Sequence, residues 1–402
     1  MGIHVHACPP SDLATGGSAG GCAHLCLALR HRIRRSCTVA SVIPIQAYEI
    51  LKNEQTVSIL YTIVSLLGLS VTLFMPMLIH RFARRWVYTA GALLLGIGSL
   101  FFVTHSLPGQ IIGMLCRVMG ASALSITLNL YIMDHIRKTD LMQAESLRMA
   151  WSMIAWTSGP TLGIFLYTRY GIYAAHGAVA VFALCLLALF WYYRLGDNPM
   201  IVPGKSRPIN PFANIGRFVS QPRLRLAWLI AFGRSCYWTT FFVYGPLFMV
   251  ITGQGELAGG LLVSAGNALL FAAIFWGRAG KRYGARNVMT LAFVGMAVSL
   301  WLAGAIGELI PLATAGLLLV GALFTIALDA IGSTAFMRSV RAYERPQMAA
   351  VYRTYLDFSE LTPPLVYSLV LAFFGLGSVF ATLGCLAAVC AVVTWLYLPK
   401  SM

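Results

Sequence analysis

Long apolar stretches, separated by short polar loops, recur along almost the whole chain. They cover residues 57–79, 86–104, 110–133, 149–168, 171–193, 226–252, 257–277, 287–307, 309–337, 354–374 and 376–398. A helix rises about 1.5 Å per residue, so roughly 20 apolar residues cross a hydrocarbon core about 30 Å thick. In lipid every backbone group must be bonded, and at these lengths only a helix achieves that within one segment. Barrel strands would be about ten residues long and alternating. The pattern predicts an all-α integral membrane protein. A twelfth stretch, residues 37–51, is apolar but too short to span alone, and His31-Arg32-Ile33-Arg34-Arg35 precedes it. The first of twelve spans is therefore expected to be incomplete.

Composition agrees. The chain has 402 residues, 58% hydrophobic and only 10% charged, against about 25% charged in an average soluble domain. Too little polar surface is present to coat a water-soluble globule, and abundant aromatics with low charge oppose disorder. Lys plus Arg is 29 and Asp plus Glu is 13, a net charge of +16. Placing the basic residues explains the excess. Twenty lie in five alternate loops: Arg81, Arg84 and Arg85; Arg137, Lys138 and Arg148; six from Arg194 to Arg225; Arg278, Lys281, Arg282 and Arg286; and Arg338, Arg341, Arg345 and Arg353. The intervening loops hold only Lys52 and Arg169. The positive-inside rule makes the five loops cytoplasmic. Both termini are then expected in the cytoplasm of a multi-pass protein of a bacterial inner membrane. The charge is a topology signal, and nucleic-acid binding loses its support.

A Pro-, Asn- and Arg-rich loop at 195–224 divides the spans into halves that align at an offset near 200. Pro76-Met-Leu-Ile-His80-Arg81-Phe-Ala83-Arg84-Arg85 corresponds to Gly277-Arg-Ala-Gly-Lys281-Arg282-Tyr-Gly284-Ala285-Arg286. Ile126-Thr-Leu-Asn129 corresponds to Ile326-Ala-Leu-Asp329, and Pro44 to Pro246. The expected organisation is a polar leader (1–36), an N-terminal bundle (37–194), a linker (195–224) and a C-terminal bundle (225–402). Repeated halves of parallel orientation mark transporters built from two bundles.

On these motifs the chain resembles the major facilitator superfamily, from about residue 37 onward. The resemblance implies two six-helix bundles related by a pseudo-two-fold axis. The family's loop motif, Gly-x-x-x-Asp-Arg-x-Gly-Arg-Arg, is matched by Arg81, Arg84 and Arg85, with His80 in place of Asp. The second copy keeps Gly277, Arg282, Gly284 and Arg286. The resemblance implies that these residues gate the cytoplasmic side. Arg117-Val-Met-Gly120 is similar to the family's Arg-x-x-x-Gly, one residue shorter. Gly159-Pro160-Thr-Leu-Gly163 resembles an element of the family's drug–proton antiporters. Secondary active transport of a small organic solute is implied, with proton-coupled efflux as the leading reading. Proton-coupled uptake of a small organic acid or sugar, or a non-transporting sensor, are the alternatives. No phosphate-binding loop, hydrolytic triad or metal-ligand set lies on the spans. The expected partners are a small molecule, protons and the bilayer, with no enzyme activity, cofactor or metal, and a monomeric state.

Charges inside spans are costly, about 2.5–3.5 kcal/mol on insertion scales, and so mark candidate sites. Asp329, Glu360, Asp357 and Arg117 are the proton-coupling candidates. Asp329 has two readings: a proton carrier, or a static partner of Arg234. Asp357 is read chiefly as paired with Arg353, four residues earlier. Glu360 has no sequence-local partner. Arg234, with Tyr237 and Trp238 at i+3 and i+4, and Asn129 are candidates for the substrate cavity. Tyr61, Trp151, Trp156, Tyr244 and Tyr355 are further aromatics that suit a cavity or simple packing. His176 reads as a satisfied core histidine, and Gly259-Gly260 as a packing face. Gly159, Pro160, Gly163, Pro363 and Pro364 are expected to kink the fifth and eleventh spans. Residues 1–36 fit none of this. The repeat suggests that an unrelated or out-of-frame leader stands where half of the first span should be.

Overall fold

The structure, a computed structural model, describes residues 41–82, 84–135, 141–192, 215–340, 348 and 351–399. The leader at 1–36 and most of the linker fall outside these residues. The described part is helical. It runs α1 (Val42–Leu51), α2 (Glu54–Arg81), α3 (Arg84–Val103), α4 (Leu107–His135), α5 (Leu141–Tyr192), α6 (Ile215–Val219) and α7 (Pro222–Ile251). It continues with α8 (Glu256–Ala268), a 3-10 turn at Leu269–Ala272, α9 (Ala273–Tyr283), α10 (Ala285–Ile306), α11 (Pro311–Ile331), α12 (Ser333–Ser339), α13 (Thr354–Val370) and α14 (Gly377–Tyr397).

Eight helical stretches among the described residues are long and apolar enough to cross a membrane. The 30-residue α7 is long enough but carries Arg223, Arg225 and Arg234, and α13 has 17 residues with Asp357 and Glu360 inside it. Every expected span coincides with a helix, but several boundaries differ. The expected fifth and sixth spans form one 52-residue helical run, α5, interrupted at Gly171. Gly171 has φ 81° and faces open space, so the chain reverses at a residue with no Cβ penalty. The eighth span is jointed rather than straight, as α8, the 3-10 turn and α9. The tenth ends at Gly332, with α12 beyond it.

α1 is short but firmly seated. Val42, Ile45 and Ala47 are fully buried. The Gln46 side-chain amide donates to the Phe102 carbonyl at 2.6 Å. Its oxygen lies 2.8 Å from Nε2 of His176, whose ring stacks on Phe102 with centroids 5.1 Å apart. A second side-chain amide, from Gln110, reaches the Ile43 carbonyl at 3.2 Å. His176 is a core histidine, held by α1.

The interior is apolar, with Tyr244, Phe248, Phe293 and Phe380 essentially inaccessible. The outside is apolar as well, with Leu100, Phe275, Leu369 and Leu396 each more than half exposed. A surface of this kind is stable only against lipid. Arg85, Arg223, Arg282, Arg286 and Arg353 lie at one end of the helices, here called the basic end. Lys52 and Arg169 lie at the other, charge-poor end. At the basic end Gly284, with φ 83°, makes the turn from α9 to α10. Just after it, Arg286 places its guanidinium 4.5 Å from the Trp395 ring centroid and donates to the Trp395 carbonyl.

Candidate functional site in the central cleft

The two halves meet along three helix pairs: α1 with α7, α2 with α13, and α5 with α8. Small residues make the closest approach possible. Between the halves a Cβ on Gly260 would sit 2.9 Å from the Ile164 Cδ1, while one on Gly259 would sit 2.9 Å from the Pro246 Cα within the C-terminal half. Gly259-Gly260 is thus a packing face. Beside it Thr161 donates to Ser264 Oγ at 2.6 Å, and Tyr244 donates to Ser58 Oγ at 2.8 Å. Trp156 packs on Phe242 with centroids 5.3 Å apart. Among the described residues, the hydrogen bonds between halves lie in the middle or the charge-poor half of the helices.

The deepest link involves a proline. Within a helix Pro364 has no N–H to give the carbonyl four residues earlier, which belongs to Glu360. That carbonyl instead accepts a hydrogen bond from Ser65 Oγ on α2, at 3.1 Å. Neither Pro160 nor Pro363-Pro364 breaks its helix: α5 and α13 run through them, and within α5 the non-helical backbone is at Gly171.

Two groups of charges stand beside this junction. The first is built by α7, α11 and α13 of the C-terminal half. Arg234 donates to Asp329 Oδ1 at 2.7 Å and to the Tyr355 hydroxyl at 3.0 Å. The Trp238 indole N–H donates to Asp329 Oδ2 at 2.9 Å. The Tyr355 ring centroid lies 5.4 Å from the Arg234 guanidinium carbon. The Arg234 and Asp329 side chains keep 20% and 26% of their accessibility, so the pair is partly accessible rather than sealed in the core. Charge-assisted bonds of this kind fix orientation as well as energy. Asp329 therefore takes the static-pair reading in this conformation, with both carboxylate oxygens engaged.

The second group spans the halves. Arg117 on α4 lies within electrostatic reach of Glu360 on α13 and of Tyr61 on α2. Glu360 is exposed and Arg117 half-buried. Among the described residues neither forms an ion pair. The paired carboxylate is Asp329, and the unpaired one is Glu360.

The remaining candidates divide. Asp357 feels Arg353, but the two form no ion pair among the described residues, so the expected local pair is not made. Tyr237 is not a cavity residue. It is 1% exposed, its hydroxyl donates to the Leu318 carbonyl, and it fills the space left by Gly321. Its side chain points into the contact between α7 and α11, while Trp238 takes the Arg234 face. Of the loop residues, Gly277, Arg282, Gly284 and Arg286 are in place at the basic end, with Arg282 lying 5.3 Å from the Tyr283 ring centroid. Arg85 lies in the first turn of α3. The side chains of Arg81, Arg84, Asn129 and Trp151 lie outside the described residues. Ser65 is a residue of this junction that sequence reasoning did not single out.

Comparison with known proteins agrees with this architecture. The family model for the Major Facilitator Superfamily matches residues 33–270 and 259–401. The chain belongs to that superfamily: it is a multi-pass membrane transporter rather than an enzyme. Among solved structures it is similar to a POT family transporter in complex with a thioalcohol-conjugated peptide, with TM-score 0.77, 11% identity, and 95% and 96% of the two chains covered. It is also similar to a mutant of the nucleoside transporter NupG, with TM-score 0.73, 12% identity, and 93% and 98% covered. The POT family transporter PepTSo gives 0.72, 12%, and 94% and 97%. At such identities the likeness is one of fold. No curated protein sequence matches this one.

Proposed function

We propose that this protein is a proton-coupled secondary transporter of small organic solutes, working by alternating access with its basic end in the cytoplasm of a bacterial inner membrane. Glu360 carries the reading. It is an exposed carboxylate at mid-span, without an ion pair among the described residues, facing Arg117 across the boundary between the halves. A charge held there at insertion cost is a functional group by default. In this role Glu360 binds and releases the coupling proton, and Arg117 answers its charge state from the opposite bundle. Arg234, Asp329, Trp238 and Tyr355 form a charged and aromatic platform for the solute. Among the described residues the halves touch at mid-span and toward the charge-poor end, and we read that end as closed.

Gly159-Pro160-Thr161-Leu162-Gly163 lies at the α5–α8 contact, where Thr161 bonds Ser264. Its likeness to the antiporter element favours export of amphipathic compounds. A second reading, uptake of a small organic acid, is favoured by the two cleft cations, Arg117 and Arg234. Everted membrane vesicles carrying a pH-sensitive dye separate them. A panel of amphipathic amines should release protons from the vesicle interior on export. Small carboxylates should instead move protons in the same direction as the solute under symport. Glu360→Gln should abolish the proton signal in either case. A Glu360→Gln protein that still couples solute to protons would remove Glu360 from the mechanism.

A further inference from the structure

At the charge-poor end a second set of titratable groups bridges the halves, apart from the cleft. Glu49 lies in the last turn of α1, and its Oε2 accepts a hydrogen bond from the Tyr167 hydroxyl on α5. Nε2 of His105, in the turn after α3, is 3.3 Å from the same oxygen. Glu256 opens α8, in the other half, and its carboxyl lies within hydrogen-bond reach of Glu49. The helix packing supports this placement independently. Gly260 meets Ile164 on the antiparallel α5. Glu256, one turn before Gly260, and Tyr167, one turn after Ile164, therefore come level.

We propose that Glu49 and Glu256 form a proton-operated latch: a proton shared between the two carboxyls holds the charge-poor end closed, and its loss lets that end open. Two ionised carboxylates in contact repel, whereas a carboxyl donating to a carboxylate attracts. The contact across the boundary thus requires one proton. Among the described residues the cation in contact with this pair is His105, when protonated, and the His105→Gln arm of the test below separates its proton from the shared one. Lys52 and Arg169 are exposed, and among the described residues neither pairs with Glu49 or Glu256. Glu54, which opens α2, adds negative charge near Tyr48. Tyr167 donates to Glu49 from within the same half, and His105 also belongs to that half, so neither holds the halves together. When the end opens, α8 leaves α1, both carboxyls meet water, and the proton passes to the solvent on that side. The latch rests on the alternating-access reading above, but its proton is distinct from the one assigned to Glu360.

The test reads distance, not flux. Spin labels carried on p-acetylphenylalanine at Tyr173 and Leu309, exposed residues at the charge-poor end of each half, report its opening in reconstituted protein. One proton bound only when closed makes the open-to-closed ratio rise by about tenfold per pH unit at its steepest. The parent protein should show that rise with pH. Glu256→Gln should flatten it and stay closed, because the amide donates to Glu49 permanently. Glu49→Gln should flatten it too, which covers a Glu256→Gln protein that fails to assemble. His105→Gln should keep the slope. A parent whose distances ignore pH, a Glu256→Gln protein that titrates like the parent, or a slope lost in His105→Gln would each overturn the latch. A protein whose distances titrate but which moves no solute keeps the latch and defeats the transport reading. Proton-coupled flux with distances that ignore pH does the reverse.

Discussion

At the scale of single residues, the two cleft carboxylates differ in what they already hold. Asp329 accepts from Arg234 and Trp238, while Glu360 has its side chain free of ion pairs among the described residues. Replacing Asp329 by Asn weakens bonds to a charged group and leaves Arg234 without its counter-ion. Hydrogen bonds to charged groups are worth about 1.5–3 kcal/mol, so Asp329→Asn should lower thermal stability in detergent by an amount in that range. Glu360→Gln should leave the melting temperature nearly unchanged while removing proton coupling. Equal melting losses in both variants would refute the distinction. Tyr237→Phe loses one bond to a carbonyl that helix α11 already satisfies, so it should cost about 0.5–1.5 kcal/mol and leave solute binding intact. A selective loss of binding, measured by isothermal titration with a transported solute, would return Tyr237 to the cavity.

The same residues show what the sequence made legible. That Arg234 and Asp329 would meet was one of two readings open from their depth alone, since each needs a partner in lipid. The assignment of Tyr237 failed for a geometric reason. Residues at i+3 and i+4 both neighbour residue i, but they lie on opposite sides of it, about 60° one way and 40° the other. Which side faces the cleft depends on the neighbouring helix, and no pattern within α7 contains that. Glu49 and Glu256 escaped notice because charge near a span end is cheap and looks like loop polarity. The repeat marks the interior of the first span, through Pro44, and not its last turn.

At the scale of helices, spans and basic loops were plain from hydrophobic length and charge placement, because both are local properties of the chain. The joints were not. Proline was the expected breaker, but α5 and α13 run through their prolines, and at Pro364 the freed carbonyl finds a donor on another helix. The reversal at Gly171 falls at the boundary that the apolar stretches 149–168 and 171–193 already mark. The α5–α8 contact supplies a sharper test of the packing glycines. Gly260→Ala would put a methyl 2.9 Å from the end of the Ile164 side chain, and overpacking of this sort costs about 1–3 kcal/mol. The closed end should therefore open more often, seen as a longer label-to-label distance between Tyr173 and Leu309. Adding Ile164→Ala should restore the parent distance. If Gly260→Ala alone leaves the distance unchanged, the close approach is not what sets the closed state.

For the whole molecule, the two-bundle organisation follows from the internal repeat, and the match of the family model along both halves agrees with it. The contact between bundles is the part that a one-dimensional repeat cannot show. Among the described residues it is made of hydroxyls, glycines and aromatics, with the charges set beside it: Arg117 and Glu360 at mid-span, Glu49 and Glu256 at the charge-poor end. Such an arrangement places titratable groups at two depths along the boundary. Ser65→Ala removes the hydrogen bond between α2 and α13 without touching either group. It should shift the balance between the two open forms while leaving the pH midpoint of proton uptake in place. A midpoint that moves with Ser65→Ala would mean that the junction and the proton chemistry are one unit.

That bond also bears on how experiments on this protein can be read. Ser65 is anchored to the main chain at position 360, not to the carboxylate. The mechanical tie between the bundles is therefore indifferent to which side chain stands there. Position 360 can be varied through Gln, Asp or Ala with the tie retained, so a library at this one site reports on chemistry alone. Few positions at a moving boundary allow the energetic and the architectural roles to be separated by substitution.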